Sequence, residues 1–243
     1  MYGYGLMIAI GILAAYQVLV TRAANRKLER SHISSITIWA VLGGFISAKL
    51  LYWITQGKNI LKHPEIIWNL SSGFVVYGGI LGGIFTGYIY CKKKGLNFLQ
   101  QLDLFVPSIA LAQGFGRIGC LLAGCCYGEE THGWFGIIFH ESELAPNGIK
   151  LIPTQILESV FSFALFFVLI ILAKKQRSNG FIASLYLLLY SLGRFIIEFY
   201  RGDIIRGSIG ILSTSQFISL LVFVATCLIM LVKSYQAMRH RNA

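Results

Sequence analysis

The sequence is short of charge, and shortest of acid. Ten of its 243 residues are Asp or Glu, and charged residues of both signs reach only 13%. A soluble domain carries about 25%. With 56% hydrophobic residues and a mean hydropathy of +0.67, this composition excludes a soluble globular protein. It leaves little room for a separate soluble domain. Other absences narrow the class further. The apolar N-terminal run lacks a basic stretch before it and a small-residue cleavage site after it, so it reads as a retained helix and not as a signal peptide. No internal repeat appears, and no hydrophobic run is broken into matching half-helices, which argues against a repeat-built transporter. No low-complexity segment is present.

What remains is an all-α, polytopic membrane protein forming a single domain over residues 1–243. A spanning helix needs about 20 apolar residues. By that criterion roughly seven runs qualify: 4–21, 36–55, 73–91, 103–122, 153–173, 179–199 and 208–232. The net charge of +11 does not indicate nucleic acid, because the basic residues lie in short clusters between the runs. Arg22, Arg26, Lys27 and Arg30 follow the first run. Lys92, Lys93 and Lys94 follow the third, Lys174, Lys175 and Arg177 the fifth, and Lys233, Arg239 and Arg241 the seventh. These clusters alternate so as to share one side, which the positive-inside rule makes cytoplasmic. The N-terminus is then outside and the C-terminus inside. The opposite side carries fewer basic residues: Lys58, Lys62, Lys150, Arg201 and Arg206. It also carries the longest break, 123–152, as a small extracytoplasmic head.

Against this background a few charges are out of place. Lys49, Arg117 and Arg194 fall inside spans or near their ends, where each costs about 2.5–3.5 kcal/mol at a helix centre. Such residues face a polar cavity or a partner, unless they snorkel from a helix end; for Lys49 both readings stand. Arg194 has Glu198 at i+4 and Arg201 at i+7 on one face, with Tyr190 and Tyr186 continuing the stripe. This pattern fits a functional pair or a structural tie between helices. Glu158 is a second carboxylate within a span, a candidate for chemistry or for orienting an arginine. Asp103 reads as a structural N-cap at the start of its own helix.

The third run, "SSGFVVYGGILGGIFTG", repeats small residues every four positions, the spacing of close helix packing. No Lys–Ser/Thr follows and no strand precedes, so it is not a phosphate loop. Tyr77 stands at its outer end. Together these residues describe a pocket open to the outer half of the bilayer, with Arg117, Arg194 and Lys49 as cations. Glu158, Glu198, Tyr77 and Tyr190 supply its acid, base and hydrogen-bonding groups. Guanidinium groups bind phosphate oxygens bidentately, and a phospholipid is the phosphate carrier already in the membrane.

Five cysteines leave at least one unpaired. Cys120, Cys125 and Cys126 lack the paired C-x2-C spacing of zinc ligands, so no metal is expected. A disulfide joining Cys120 to one of the others, a reactive thiol near Arg117, and simple packing at a helix end all stay open. Cys91 and Cys227 read as packing.

Six segments in order carry a family resemblance: "YGLM" (4–7), "SAKLLYWI" (47–54), "YGGILGG" (77–83), "GRIG" (116–119), "PTQILES" (153–159) and "GRFIIEFYRGD" (193–203). The chain resembles the prolipoprotein diacylglyceryl transferases over nearly its whole length. The resemblance implies transfer of diacylglyceryl from phosphatidylglycerol to the lipobox cysteine of a prolipoprotein, with release of glycerol 1-phosphate and no cofactor. It also implies a bacterial plasma-membrane location with the site facing the outer leaflet. Arg117 and Arg194 would stabilise the leaving phosphate, and Glu198 would orient Arg194. Tyr4, Tyr77 and Glu158 would line the site. Lys49, Gly78, Gly119, Tyr190 and Arg201 would contribute to substrate binding.

The sequence departs from that family around one stretch. Cys120, Ala123 and Cys125 stand where the family signature has Asn, Asn and Glu, Ile152 replaces a histidine, and Tyr77 stands where a histidine is usual. Two further readings follow from these departures: a relative acting on another acceptor, or a thiol-redox membrane protein using Cys120, Cys125 and Cys126.

Overall fold

The computed structural model describes residues 2–26, 28–68, 73–175, 177–203 and 207–242. Lys27 and Arg206, two of the basic residues used to orient the chain, lie outside them. Helices dominate: α1 (Tyr2–Asn25), α2 (Arg30–Thr55), α3 (Gly57–Lys62), α4 (Val76–Lys93), α5 (Phe98–Ala123), α6 (Thr154–Leu172), α7 (Phe181–Ile197) and α8 (Thr214–Asn242). The only strands among the described residues form two minimal antiparallel hairpins, β1 (Ile137–Ile138) with β2 (Lys150–Leu151), and β3 (Ser208–Ile209) with β4 (Leu212–Ser213).

Six of the helices, α1, α2, α5, α6, α7 and α8, are long and apolar enough to cross a membrane. Of the other two, α3 has only six residues, and in the 18-residue α4 five glycines and two terminal lysines dilute the hydropathy. Burial is inverted relative to a soluble protein. Leu13, Phe45, Ile54, Ile171 and Leu231 point outward, whereas Lys49, Glu158, Arg194 and Arg201 are buried. Lipid asks for that arrangement, since hydrocarbon accepts leucine and rejects unpaired charge. The protein is a polytopic all-α membrane protein.

The chain divides into two compact units. The first contains residues 1–19 and 102–243. Its core joins Val106 and Ala110 of α5, Leu165 and Leu169 of α6, and Ile182, Ala183 and Tyr186 of α7. Asp103 is structural but caps a helix other than its own. Its carboxylate accepts the backbone N–H groups of Gly180 (2.7 Å) and Ala183 (2.8 Å), the free donors at the start of α7. The last apolar run also divides. Its first six residues form the β3–β4 hairpin, turning at Gly210 with φ 63°. A reciprocal capping box then starts α8. Ser213 Oγ accepts from the Gln216 N–H, and Gln216 Oε1 accepts from the Ser213 N–H.

The second unit, residues 20–101, is built on α2 against α4. The glycines of α4 work as their spacing predicts. A Cβ on Gly78 would lie 2.6 Å from the Ser47 carbonyl oxygen, and one on Gly82 would lie 2.2 Å from Ser47 Oγ. Thr86 Oγ1 donates across the same contact to the Trp39 carbonyl.

Candidate active site

The first unit gathers most of the residues singled out in the sequence: Tyr4, Arg117, Gly119, Cys120, Cys125, Cys126, Glu158, Tyr190, Arg194, Glu198 and Arg201. Glu158, one turn into α6 and almost fully buried, is the centre. Its Oε2 lies 2.5 Å from Arg117 Nε on α5. Its Oε1 pairs with Arg194 Nη1 on α7 and lies 3.5 Å from Arg201 Nη1. Three arginines from three segments thus converge on one carboxylate. Glu198 takes the other side of Arg194 at 2.5 Å, one helical turn on, and accepts from Ser213 Oγ. Asp203 grips Arg201 through both oxygens, at 2.8 and 2.6 Å. Three guanidinium groups therefore face three carboxylates, and the network is neutral. Such balance is what permits so many charges to leave water together.

The arginines differ in access. The Arg117 side chain is 23% exposed, against 10% for Arg194 and 4% for Arg201. A small cavity touches Arg117, Glu158 and Arg194 and is walled by Gln113, Tyr190 and Phe161. Tyr190 stacks on Tyr186, with centroids 5.4 Å apart, and the Tyr186 hydroxyl donates to Gln113. Outside the spans, Arg201 is held firmly as a cation: burial opposes the charge, but Asp203 and the anionic groups around it prevail.

The cysteine stretch closes α5. Gly124, at φ 69°, donates to the Leu121 carbonyl, and the Cys125 N–H donates to the Cys120 carbonyl, both at 3.1 Å. This is a Schellman ending, in which residues five apart meet side by side. Cys126 is the one non-glycine residue with positive φ among those described. None of the five cysteines is joined in a disulfide. Hydrogen bonds from the Cys120 and Cys125 thiols, and then the Arg201 charge, pull the Cys126 thiol well below its ordinary pKa.

The neighbouring strand contacts explain the proximity of Arg201. Gly128 bridges to Arg201, and Gly202 N–H donates to the Tyr127 carbonyl. Tyr4 is 43% exposed, and a Cβ on Gly119 would press within 3.1 Å of the Tyr4 ring. Gly119 therefore serves close packing of α1 on α5. An open cleft of about 550 Å³ runs from Tyr4 past Cys125 to His140, Glu141 and Glu143 of the head.

Lys49, Tyr77 and Gly78 belong to the second unit. Lys49 is buried with its Nζ 3.5 Å from the Gly73 carbonyl. The faces of Tyr52, Phe74 and Trp53 surround it at 5.1, 5.2 and 5.9 Å, an aromatic enclosure for a cation. Tyr77 is 43% exposed at the start of α4. Gly78 is a packing glycine.

Sequence reading missed Asp203, Gln113 and Ser213 as members of the network. Asp203 carried a signal, two residues beyond Arg201 in a chain poor in acid. Gln113 carried none.

The fold and the site define a polytopic helical membrane protein with arginines clustered on a buried glutamate. Residues 1–232 match the sequence profile of the prolipoprotein diacylglyceryl transferases. The chain is 51% identical, over 92% of its length and 89% of the relative's, to the phosphatidylglycerol–prolipoprotein diacylglyceryl transferase of Clostridium tetani. It is 45% identical to the second such enzyme of Clostridium perfringens, over 94% and 89%. With that of Staphylococcus saprophyticus it shares 32% over 98% and 88%. The chain belongs to the prolipoprotein diacylglyceryl transferase family.

Proposed function

We propose that the protein is a transferase that moves the diacylglyceryl group of phosphatidylglycerol onto the lipobox cysteine thiol of a prolipoprotein. The observation that carries this reading is the Arg117–Glu158–Arg194 network beside a cavity, in a chain of this family. The thiol sulfur attacks the carbon of the diacylglyceryl unit that bears the phosphate. A C–S bond forms, the C–O bond breaks, and glycerol 1-phosphate leaves while the thiol proton passes to a base. Charge grows on the leaving phosphate, so preoriented donors there accelerate the step.

Arg117, the most exposed of the three, is the phosphate contact. Glu158, by holding its Nε, turns the Nη face toward substrate. Arg194 and Arg201 are positioning groups, with Glu198 orienting Arg194 and Asp203 orienting Arg201. Tyr190 and Tyr4 line the approach, and the cleft under the head suits an extended peptide. Tyr77, exposed at the start of α4, suits a hydrogen-bonding role. Lys49, enclosed by aromatic rings, supports the second unit rather than the phosphate. The alternation of basic clusters supports a plasma-membrane orientation with the head and the site at the outer leaflet.

The test is direct. Purified protein in lipid is given phosphatidylglycerol and a synthetic lipobox peptide. The expected result is glycerol phosphate release matched by a peptide mass gain of one diacylglyceryl group. Absence of both, beside an active control enzyme of the family, would overturn the reading.

A further inference from the structure

Three sulfur atoms meet at the end of α5, and the transfer step proposed above assigns them no part. Those of Cys120, Cys125 and Cys126 all lie within 4.8 Å of one another. We infer that Cys120, Cys125 and Cys126 form a three-sulfur site for one thiophilic metal or metalloid ion.

The backbone brings these sulfurs together by two devices. The Schellman ending puts Cys125 beside Cys120. Cys126 then takes a left-handed conformation, φ 63°, which disfavours a non-glycine residue. The surrounding structure holds it there. Thr154 Oγ1 donates to the Cys126 carbonyl at 2.7 Å, and Gln155 Nε2 donates to the Cys125 carbonyl at 2.8 Å. Thr154 and Gln155 are fully buried at the start of α6, so the loop is anchored to a helix from behind. Preorganisation of this kind is what a ligand set needs.

The spacing fits an ion. Metal–sulfur bonds of about 2.3 Å put three sulfurs about 3.4–4 Å apart around a pyramidal or planar three-coordinate centre, inside the 4.8 Å limit that holds the three sulfurs here. Soft thiolates select soft ions. Because a trigonal ion needs three ligands, the lack of a second C-x2-C pair, which argues against tetrahedral zinc, does not bear on it.

Charge selects further. Arg117, Arg194 and Arg201 are already balanced by Glu158, Glu198 and Asp203. Three thiolates around a monovalent ion would leave two negative charges over, a divalent ion one, and a trivalent ion none. Trivalent arsenic is therefore the matched probe. Arsenous acid and three thiols give a neutral tris-thiolate and three waters: three As–O and three S–H bonds break, three As–S and three O–H bonds form, and nothing is oxidised. Access is open, since all three cysteines are partly exposed and the cleft reaches Cys125.

The experiment uses the full chain in lipid micelles, reduced, desalted and titrated with sodium arsenite. Non-denaturing mass spectrometry should show one arsenic per chain with the loss of three hydrogens. Cys120→Ser, Cys125→Ser and Cys126→Ser should each raise the half-saturating arsenite at least tenfold, while Cys91→Ser and Cys227→Ser leave it unchanged. Arsenic-edge absorption on the unsubstituted protein should give three sulfur neighbours and no oxygen, a readout that no misfolded variant can confuse. An adduct with two sulfurs and one oxygen, an adduct that survives the triple substitution, or no adduct overturns the inference. So does loss of two hydrogens without arsenic, which is a disulfide. None of these readouts depends on transfer activity, so the two proposals fail separately.

Discussion

Glu158 Oε2 and Arg117 Nε lie 2.5 Å apart, joining α6 to α5 through a pair in which the acid is almost fully buried. The same carboxylate holds Arg194 through its other oxygen. One acid therefore orients the most accessible of the arginines and neutralises a buried one.

Glu158→Gln keeps the shape and removes the charge. Breaking a buried pair by removing one partner costs about 3–5 kcal/mol, and here Arg117 loses its carboxylate partner while Arg194 keeps only Glu198. The expected outcome is a large fall in melting temperature and loss of transfer even at temperatures where the variant remains folded. Thermal unfolding in lipid micelles and the transfer assay check this side by side. Full activity in a folded Glu158→Gln protein would remove Glu158 from the site.

Arg117→Lys tests the phosphate role. Lysine keeps the charge and loses the planar fork. Removing a donor that stabilises developing charge costs about 10²–10³ in kcat, and a contact made in the transition state lowers kcat with little change in the lipid KM. Steady-state kinetics on phosphatidylglycerol separate the two constants. A change confined to KM would make Arg117 a binding residue only.

Asp103→Ala removes the cap on α7. Loss of an N-cap costs about 0.5–2 kcal/mol, and in a chain of this size 1 kcal/mol shifts the melting point by about 2–4 °C. A drop of several degrees with unchanged transfer at 25 °C is expected. A kinetic defect in the stable range would show that Asp103 does more than cap.

The glycines of α4 should divide by position. Gly82→Ala puts a methyl group against Ser47 and 2.7 Å from the Gly43 carbonyl, so the α2–α4 contact must open. Gly87→Ala meets only the Phe98 ring edge at 4.0 Å. Yield and thermal stability should fall in the first variant and hold or rise in the second, where alanine is the better helix former.

The sequence by itself determined the solvent and the cast. Hydropathy and length located the apolar helices, six of which are long and apolar enough to cross a membrane, because a lipid-facing helix must be apolar over its whole span. Scarcity of acid made Glu158 and Glu198 conspicuous, and helical spacing put Arg194, Glu198 and Arg201 on one face. These are local properties, readable within one or two turns. Tertiary structure decided the partners. It set Asp103 as the cap of a helix some 77 residues away, joined Glu158 to arginines on two other helices, enclosed Lys49 in aromatic rings, and turned the start of the last apolar run into a hairpin. It also brought three cysteines together around a helix ending that spacing rules for metal sites do not describe. Pairings of that kind depend on which faces meet when helices pack, and no period in the chain records them.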